Sequence, residues 1–317
     1  MGPTASGKTD LAIDLARTAN CELISVDSAL VYRGLDIGSA KPSYPHHLID
    51  IREPNEVYSV ANFVADANQL VKEIVSRGKT PLLVGGTMLY FKAFLEGLAK
   101  MPPANIEART AIENEAKILG WPHIHAQLMK VDAVSAAKIH PNHSQRLSRA
   151  LEVYRSSGVS LSQWQSLQEG TEGGNLPQEN YRVVQLAICP HDRAVLHARI
   201  AYRFELMLRS GVLAEVAGLM GRNDLDRDLP ALRAVGYRQL WNHLEGECAL
   251  EEGVFKALAA TRQLAKRQLT WLRKWDDLNW IYTDELGNVS PKEGSDNVSV
   301  EQKPLEVALN YIQNDPM

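Results

Sequence analysis

The sequence is poor in cysteine, has no excess of basic residues and has no long uncharged apolar run. Only Cys21, Cys189 and Cys248 occur in 317 residues. They are odd in number, far apart and without metal-ligand spacing, which excludes a disulfide framework and fits a reducing compartment. The formal net charge is −4, so the chain as a whole is not basic. Any nucleic acid it binds must meet basic groups gathered on one face. No apolar stretch reaches the length a membrane helix needs. Lys8, Asp10 and Asp14 interrupt the apolar residues at the start, so no secretory pattern is present. The expectation is a soluble, cytoplasmic protein with no membrane partner. With no signal for assembly, monomer is the default.

What the chain does contain is ordinary for a globular protein: 45% hydrophobic and 23% charged residues, enough for one large core or two modest domains. Strand and helix signals alternate at first. Thr9 to Ala19 reads as a helix, Glu22 to Val26 as a strand and Val60 to Arg77 as an amphipathic helix stopped by Gly78. Thr80 to Val84 is a strand run closed by Gly85 and Gly86, and Met88 to Leu98 is again helical. This alternation predicts a parallel sheet with helices on both faces. Pro102 and Pro103 end it. Ile106 to Leu119, Ile124 to Leu128, Ala133 to Ile139 and Gln145 to Tyr154 are all helical in pattern. Ser166 to Gln178, rich in Gly, Glu, Gln and Ser, reads as a loop or linker. Val183 to Ile188 is a further strand run, and helices dominate from Asp192 to Trp275. The predicted organisation is an α/β core over 1–100 and 177–285, a helical insertion over 101–176 and a polar tail over 286–317.

Gly2-Pro3-Thr4-Ala5-Ser6-Gly7-Lys8-Thr9 fits G-x4-G-K-[ST]. Such glycines let backbone N–H groups turn around a phosphate, and the following helix offers its positive end. Lys8 can reach a terminal phosphate and the Thr9 hydroxyl can ligate Mg²⁺. The motif specifies a diphosphate or a nucleotide and not a reaction. It ordinarily follows a strand, so here either that strand is missing or the true start lies upstream. The fold class implied is a P-loop NTPase-like α/β core. Asp27 closes a strand beside this loop, in the crevice where open α/β sheets bind ligands. It can hold a metal, act as a base or simply make a turn. Thr87, after the second strand, is a polar contact in that crevice or a helix cap.

Several longer runs strongly resemble bacterial tRNA dimethylallyltransferases. They are Gly2 to Thr9; Ile24-Ser25-Val26-Asp27-Ser28-Ala29-Leu30-Val31-Tyr32-Arg33-Gly34 through Pro42; His46 to Asp50; and Leu82 to Tyr90. Ile139-His140-Pro141-Asn142, Gln145 to Tyr154, Arg233 to Arg238 and Thr261 to Arg273 extend the resemblance to about residue 280. The resemblance implies transfer of a dimethylallyl group from dimethylallyl diphosphate to N6 of an adenine beside the anticodon (position 37) in tRNA. It implies that Gly2, Pro3, Thr4, Ala5, Ser6, Gly7, Lys8 and Thr9 hold the diphosphate with Mg²⁺ on Thr9. It gives Asp27 as general base, Thr87 near the target base and Arg203 on the diphosphate, with Arg199 a weaker candidate. The tRNA anticodon stem-loop would meet Asp27-Ser28-Ala29-Leu30, Thr87, Arg109 and Gln145-Arg146-Leu147-Ser148-Arg149. It would also meet Arg233-Ala234-Val235-Gly236-Tyr237-Arg238 and Lys266-Arg267-Gln268-Leu269-Thr270-Trp271-Leu272-Arg273. The sequence departs from the family in lacking the strand before the phosphate loop and several residues between Pro42 and Pro45. The zinc finger of some eukaryotic relatives is also absent.

The chemistry is consistent with these residues. An adenine N6 amine is a weak nucleophile, which a base helps by removing its proton. The leaving diphosphate gathers charge that Lys8, Arg203, backbone N–H groups and Mg²⁺ can stabilise. The adenine must leave its stack to reach the crevice. Arg262, Lys266 and Arg273 share roughly one helical face, with Arg267 and Lys274 nearby, and read as phosphate contacts. Trp271 and Trp275 read as core packing. His123, His125, His140 and His143 lack zinc spacing, and His140 with Pro141-Asn142 reads as a turn. The rivals are a P-loop kinase or ATPase, an adenylate dimethylallyltransferase acting on free AMP or ADP, and a non-catalytic RNA-binding module.

Overall fold

The computed structural model describes residues 1–98, 101–169, 177–290 and 302–314. In chain order the first elements are α1 (Lys8–Thr18), β1 (Cys21–Val26), α2 (Val60–Ser76), β2 (Thr80–Gly85) and α3 (Met88–Glu96). Next come α4 (Ile106–Leu119), α5 (Trp121–Val131), α6 (Ala133–Lys138), α7 (Ser144–Ser157), α8 (Leu161–Glu169) and α9 (Pro177–Asn180). The remainder is β3 (Leu186–Pro190), α10 (Arg193–Arg209), α11 (Val212–Met220), α12 (Tyr237–Leu244), α13 (Leu250–Leu272), β4 (Asn279–Thr283) and α14 (Pro304–Asn314). The chain divides into two compact units, Met1–Phe94 with Tyr181–Met317 and Leu95–Asn180.

The first unit mixes helices and strands. Among the described residues its strands form two parallel pairs, β1–β2 and β3–β4, rather than the one continuous sheet expected. Met1 runs along β3: its amino group donates to the Leu186 carbonyl at 2.7 Å and its carbonyl accepts from Ile188 N at 3.1 Å. Helix α1 serves both pairs. Ala12 packs with Leu23 and Val84 of β1 and β2, while Leu11 and Leu15 pack with Ile188, Ile281 and Ala308. The other face of β3–β4 carries Cys189, which packs with Leu196, Ile200 and Ala265 of α10 and α13. Helices therefore cover both faces of that pair. Gly85 allows β1 and β2 to close, since a Cβ there would fall 2.0 Å from the Val26 carbonyl oxygen. Helix α2 starts at a reciprocal cap in which Asn62 N donates to Ser59 Oγ and Ser59 N donates to Asn62 Oδ1.

The second unit is helical, with one core made by Ile112, Ala116, Ile124, Leu128, Leu147 and Leu151. Asn105 caps α4 by accepting from Ala108 N at 2.9 Å, and Gly158 ends α7 in the left-handed region at φ 71°.

Four sequence expectations need correcting. Of Ser166 to Gln178, read as a loop or linker, Ser166 to Glu169 continue α8 and Pro177 and Gln178 begin α9; 170–176 lie outside the described residues. The strand expected from Val183 begins at Leu186, and Val183 is exposed. Asn279–Thr283, beyond the expected helices, is a strand because its β-branched and aromatic residues pair with β3. The expected polar tail contains α14, whose Ala308 is fully buried against α1 and β4. Its residues 291–301 and 315–317 lie outside the described residues, as do 99 and 100 near the expected boundary.

Candidate active site

A cleft of about 1090 Å³ opens over the phosphate loop in the first unit, just above the usual range of small-molecule sites (~300–1,000 Å³). Thr4 to Asp10 form its floor, joined by Asp27, Ala29 and Leu30 after β1, and by Gly38 to Ala40. Arg199, Ile200, Arg203, Phe204 and Met207 of α10, Val235, and Leu264 and Gln268 of α13 form facing walls. The C-terminal segment contributes Thr283, Leu286 to Asn288 and Lys303 to Leu305.

The floor is built for an anion. Gly7 sits at φ 91°, and no side chain caps the start of α1, so the helix's first N–H groups face the cleft end without a side-chain partner. Ala5 is also left-handed at φ 63°, a strained state for a residue with a Cβ that a curled anion loop requires. Lys8 Nζ donates to the Pro3 carbonyl at 3.4 Å. Burial pulls the Lys8 amine down to about 8; Asp27 opposes that fall and Arg203 adds to it. Burial likewise lowers Arg203, again opposed by Asp27. Arg203 donates to Thr4 Oγ1. Two cations and one carboxylate thus share one partly dry space. The hydroxyls of Ser6, Ser25 and Thr283 also line it, buried and without a hydrogen-bond partner.

Asp27 makes the turn and faces the cleft at once. Its Oδ1 accepts from Ala29 N at 2.8 Å and Leu30 N at 3.4 Å. Thr87 supports it from behind: Thr87 Oγ1 accepts from Ser28 N at 3.2 Å and Thr87 N donates to the Val26 carbonyl at 3.2 Å. Thr87 is not part of the cleft lining, so in this structure it fixes the backbone on either side of Asp27.

Of three long-range carboxylate or amide networks, those of Glu215 and Gln268 had no signal in the sequence pattern and that of Glu152 had only a faint one. Glu215 of α11 accepts from the N–H groups of Asp36 (2.9 Å), Ile37 (2.7 Å) and Gly38 (3.0 Å), and from Tyr237 Oη at 2.6 Å. It grips the loop that forms one cleft wall. Burial and then the Glu215 contact push the Tyr237 phenol up. Gln268 bridges Thr4 N and the Gly86 carbonyl, each at 2.8 Å. In the helical unit, Glu152 is fully buried and accepts from Asn105 N (3.0 Å), Arg109 Nε (3.0 Å) and Arg149 (2.6 Å). Burial opposes its charge, but the Asn105 N–H and the guanidiniums prevail and hold its carboxyl below the usual range.

The family model for IPP transferase matches residues 30–275. The chain belongs to the IPP transferase family. A full-length tRNA isopentenylpyrophosphate transferase from Bacillus halodurans is 36% identical over 89% of this chain and 88% of its own, with a TM-score of 0.62. A tRNA isopentenylpyrophosphate transferase from Staphylococcus epidermidis is 34% identical over 89% of this chain and 91% of its own, with a TM-score of 0.60. A eukaryotic dimethylallyltransferase, solved acting on tRNA, is 25% identical over all of this chain and 79% of its own, with a TM-score of 0.77.

Placed against the family, the expected RNA-contact segments split by exposure. Ser28, Gln145, Arg146, Arg233, Arg238, Lys266, Arg267, Thr270, Trp271 and Arg273 are exposed, as are Arg262 and Lys274. Leu147, Ser148, Gly236, Tyr237, Gln268 and Leu272 are buried; of these, the Tyr237 hydroxyl bonds Glu215 and the Gln268 amide bonds Thr4 N and the Gly86 carbonyl. Ala29, Leu30, Ala234, Val235 and Leu269 are partly buried, and all but Leu269 line the cleft. Arg109 is exposed and Arg149 partly exposed, and both are committed to Glu152. Trp271, expected in the core, is 40% exposed, whereas Trp275 donates from its indole to Gln185 at 2.7 Å. Arg199 donates to the Asp284 and Glu285 carbonyls at 3.3 Å and so anchors the C-terminal cleft wall. His140 Nδ1 accepts from Asn142 N at 3.2 Å and shapes a turn.

Proposed function

We propose that this IPP transferase moves a dimethylallyl group from dimethylallyl diphosphate to N6 of the adenine beside the anticodon of tRNA, releasing diphosphate. The carrying observation is the cleft itself. A cationic, helix-ended phosphate loop and a strand-end carboxylate open into one space that also has an apolar wall. In this reading Lys8, Arg203 and the loop N–H groups bind the diphosphate and stabilise the charge that grows on it as it leaves. Ile200, Phe204, Met207, Val235 and Leu264 give the five-carbon chain a water-poor wall. Asp27 takes the N6 proton as the C–N bond forms, with the adenine flipped out of its stack. Its turn contacts and the Thr87 brace keep the carboxylate aimed into the cleft. The core is read as a P-loop NTPase-like α/β fold turned to a prenyl diphosphate.

The donor set fits Mg²⁺ bound with its substrate. Among the described residues no group of three His, Cys, Asp or Glu side chains forms a metal site. The Thr9 hydroxyl at the cleft floor would therefore hold the ion together with diphosphate oxygens and water, the arrangement Mg²⁺ favours. Bound there, the ion would neutralise charge on the diphosphate. The buried Ser6 and Ser25 hydroxyls are donors that such a polyanion and its water would satisfy. Exposed Arg146, Arg233, Arg238, Lys266 and Arg273 supply phosphate contacts for the RNA. Among the described residues no helix is long and apolar enough to cross a membrane. The protein is proposed to act in the cytoplasm as a monomer.

Incubation with unmodified tRNA, Mg²⁺ and labelled dimethylallyl diphosphate tests the reading. Label in tRNA supports it. Label only in AMP would reassign the acceptor to a free nucleotide, and ATP turnover without label transfer would reassign the phosphate loop to a nucleotide.

A further inference from the structure

Gln268 occupies a place that neither RNA binding nor core packing explains. It is 8% exposed on α13, while Lys266 and Arg267 on the same helix, and Arg273 at its C-cap, reach solvent. Its Oε1 accepts from Thr4 N at 2.8 Å, and its Nε2 donates to the Gly86 carbonyl at 2.8 Å. The amide can take only this orientation, because a backbone N–H only donates and a carbonyl only accepts. Gly86 makes room for it, since a Cβ there would lie 2.3 Å from Gln268 Nε2.

The two groups it joins belong to opposite ends of the cleft chemistry. Thr4 lies in the phosphate loop and takes the Arg203 guanidinium on its hydroxyl. Gly86 precedes Thr87, which holds Val26 and Ser28 on either side of Asp27. We propose that Gln268 is a positioning residue that sets the span between the diphosphate end of the cleft and the Asp27 end, an assignment that rests on the prenyl-transfer reading above. In-line transfer needs the reacting atoms about 3–3.5 Å apart, and an error of about 1 Å in such an alignment can cost on the order of 10²-fold in rate. A single rigid amide between the two backbone segments holds that distance. Two flexible loops would not.

Gln268→Glu keeps the shape and the acceptor toward Thr4 but faces the Gly86 carbonyl with oxygen. Gln268→Met removes both hydrogen bonds. At saturating tRNA and dimethylallyl diphosphate, both variants are expected to slow single-turnover transfer by about 10–100-fold, with tRNA affinity unchanged. Gly86→Ala should slow transfer too, and its effect should shrink in a Gln268→Ala background, where the added Cβ no longer meets the amide. A weakened tRNA affinity with normal rate at saturation would overturn the proposal and make Gln268 an RNA contact. Normal rate and normal affinity in Gln268→Glu would overturn it as well. Wild-type enzyme is run alongside: if it labels no tRNA, the prenyl-transfer reading itself fails, which is a different result from an unaffected variant.

Discussion

Replacing Asp27 by Asn separates its chemistry from its structural duty. The Asp27 Oδ1 contacts to Ala29 N and Leu30 N need only an acceptor, which an amide oxygen supplies, so the turn persists. What disappears is the proton acceptor. General-base contributions are about 10²–10⁴-fold, or about 3–5 kcal/mol of barrier at about 1.36 kcal/mol per decade. One side effect has to be controlled. Asp27 supports the charge on Lys8, so the variant deprotonates Lys8 more easily and weakens diphosphate binding near neutrality. Single-turnover transfer is therefore measured at saturating donor and at about pH 6.5, below the Lys8 value of about 8. A loss of about 10²-fold or more, with diphosphate and tRNA affinities kept, is the expected result. A rate within about threefold of wild type would remove the base role, because it falls far short of the typical general-base contribution of about 10²–10⁴-fold.

Other perturbations follow from the same contacts. Lys8 is charged below about pH 8 and neutral above it, so affinity for an unreactive prenyl diphosphate analogue should fall as pH rises through 8. Lys8→Arg should flatten that profile in titration calorimetry, and an affinity that rises with pH would contradict the assignment. Glu152→Ala strips the acceptor from Arg109, Arg149 and Asn105 N, and should cost about 3 kcal/mol in urea denaturation, the low end for a broken buried pair because both arginines can rehydrate. The Glu152 carboxyl is held below the usual range, so its contribution is present above the ordinary glutamate value of 4.5 and is lost as pH falls through and below it. A loss under about 1 kcal/mol would show that the network is not holding the unit. Arg238→Ala, on an exposed side chain, should weaken tRNA binding and reduce the salt dependence by about one counterion; an unchanged salt slope would take Arg238 out of the interface. Arg149 is a poorer probe, since its charge is already spent on Glu152.

Much of this was legible in the sequence because the signals are local. The glycine-rich loop is read within eight residues and α1 begins where that motif requires. The helices α2, α4 and α7 follow apolar periodicity, and β1 and β2 follow short apolar runs closed by Asp27 and Gly85. What was not legible depends on distance along the chain. Glu215 meets Asp36 to Gly38 across 177 to 179 positions, and Gln268 meets Thr4 across 264. No window contains both partners, and a lone Glu on an amphipathic helix reads as a solvated residue. Glu152 left a faint trace, a charge between Leu151 and Val153 one turn beyond Ser148 on the buried side of α7. Gln268 shares a basic segment with Lys266 and Arg273, so the sequence groups it with the RNA contacts, whereas its side chain is buried and bonds Thr4 N and the Gly86 carbonyl. Period alone did not separate the inward position from its outward neighbours. The strand β4 lies inside the expected 177–285 core, where Trp280-Ile281-Tyr282-Thr283 has strand composition, but a five-residue run directly after a long helical stretch gives little periodicity to read.

The most direct test of the central claim is the chemical identity and position of the product. After reaction of wild-type protein with unmodified tRNA, Mg²⁺ and dimethylallyl diphosphate, the RNA is digested and read by mass spectrometry. The account predicts N6-dimethylallyladenosine at the single adenosine beside the anticodon, and its loss in Asp27→Asn. Unmodified RNA, or a prenyl group on another base, would contradict it.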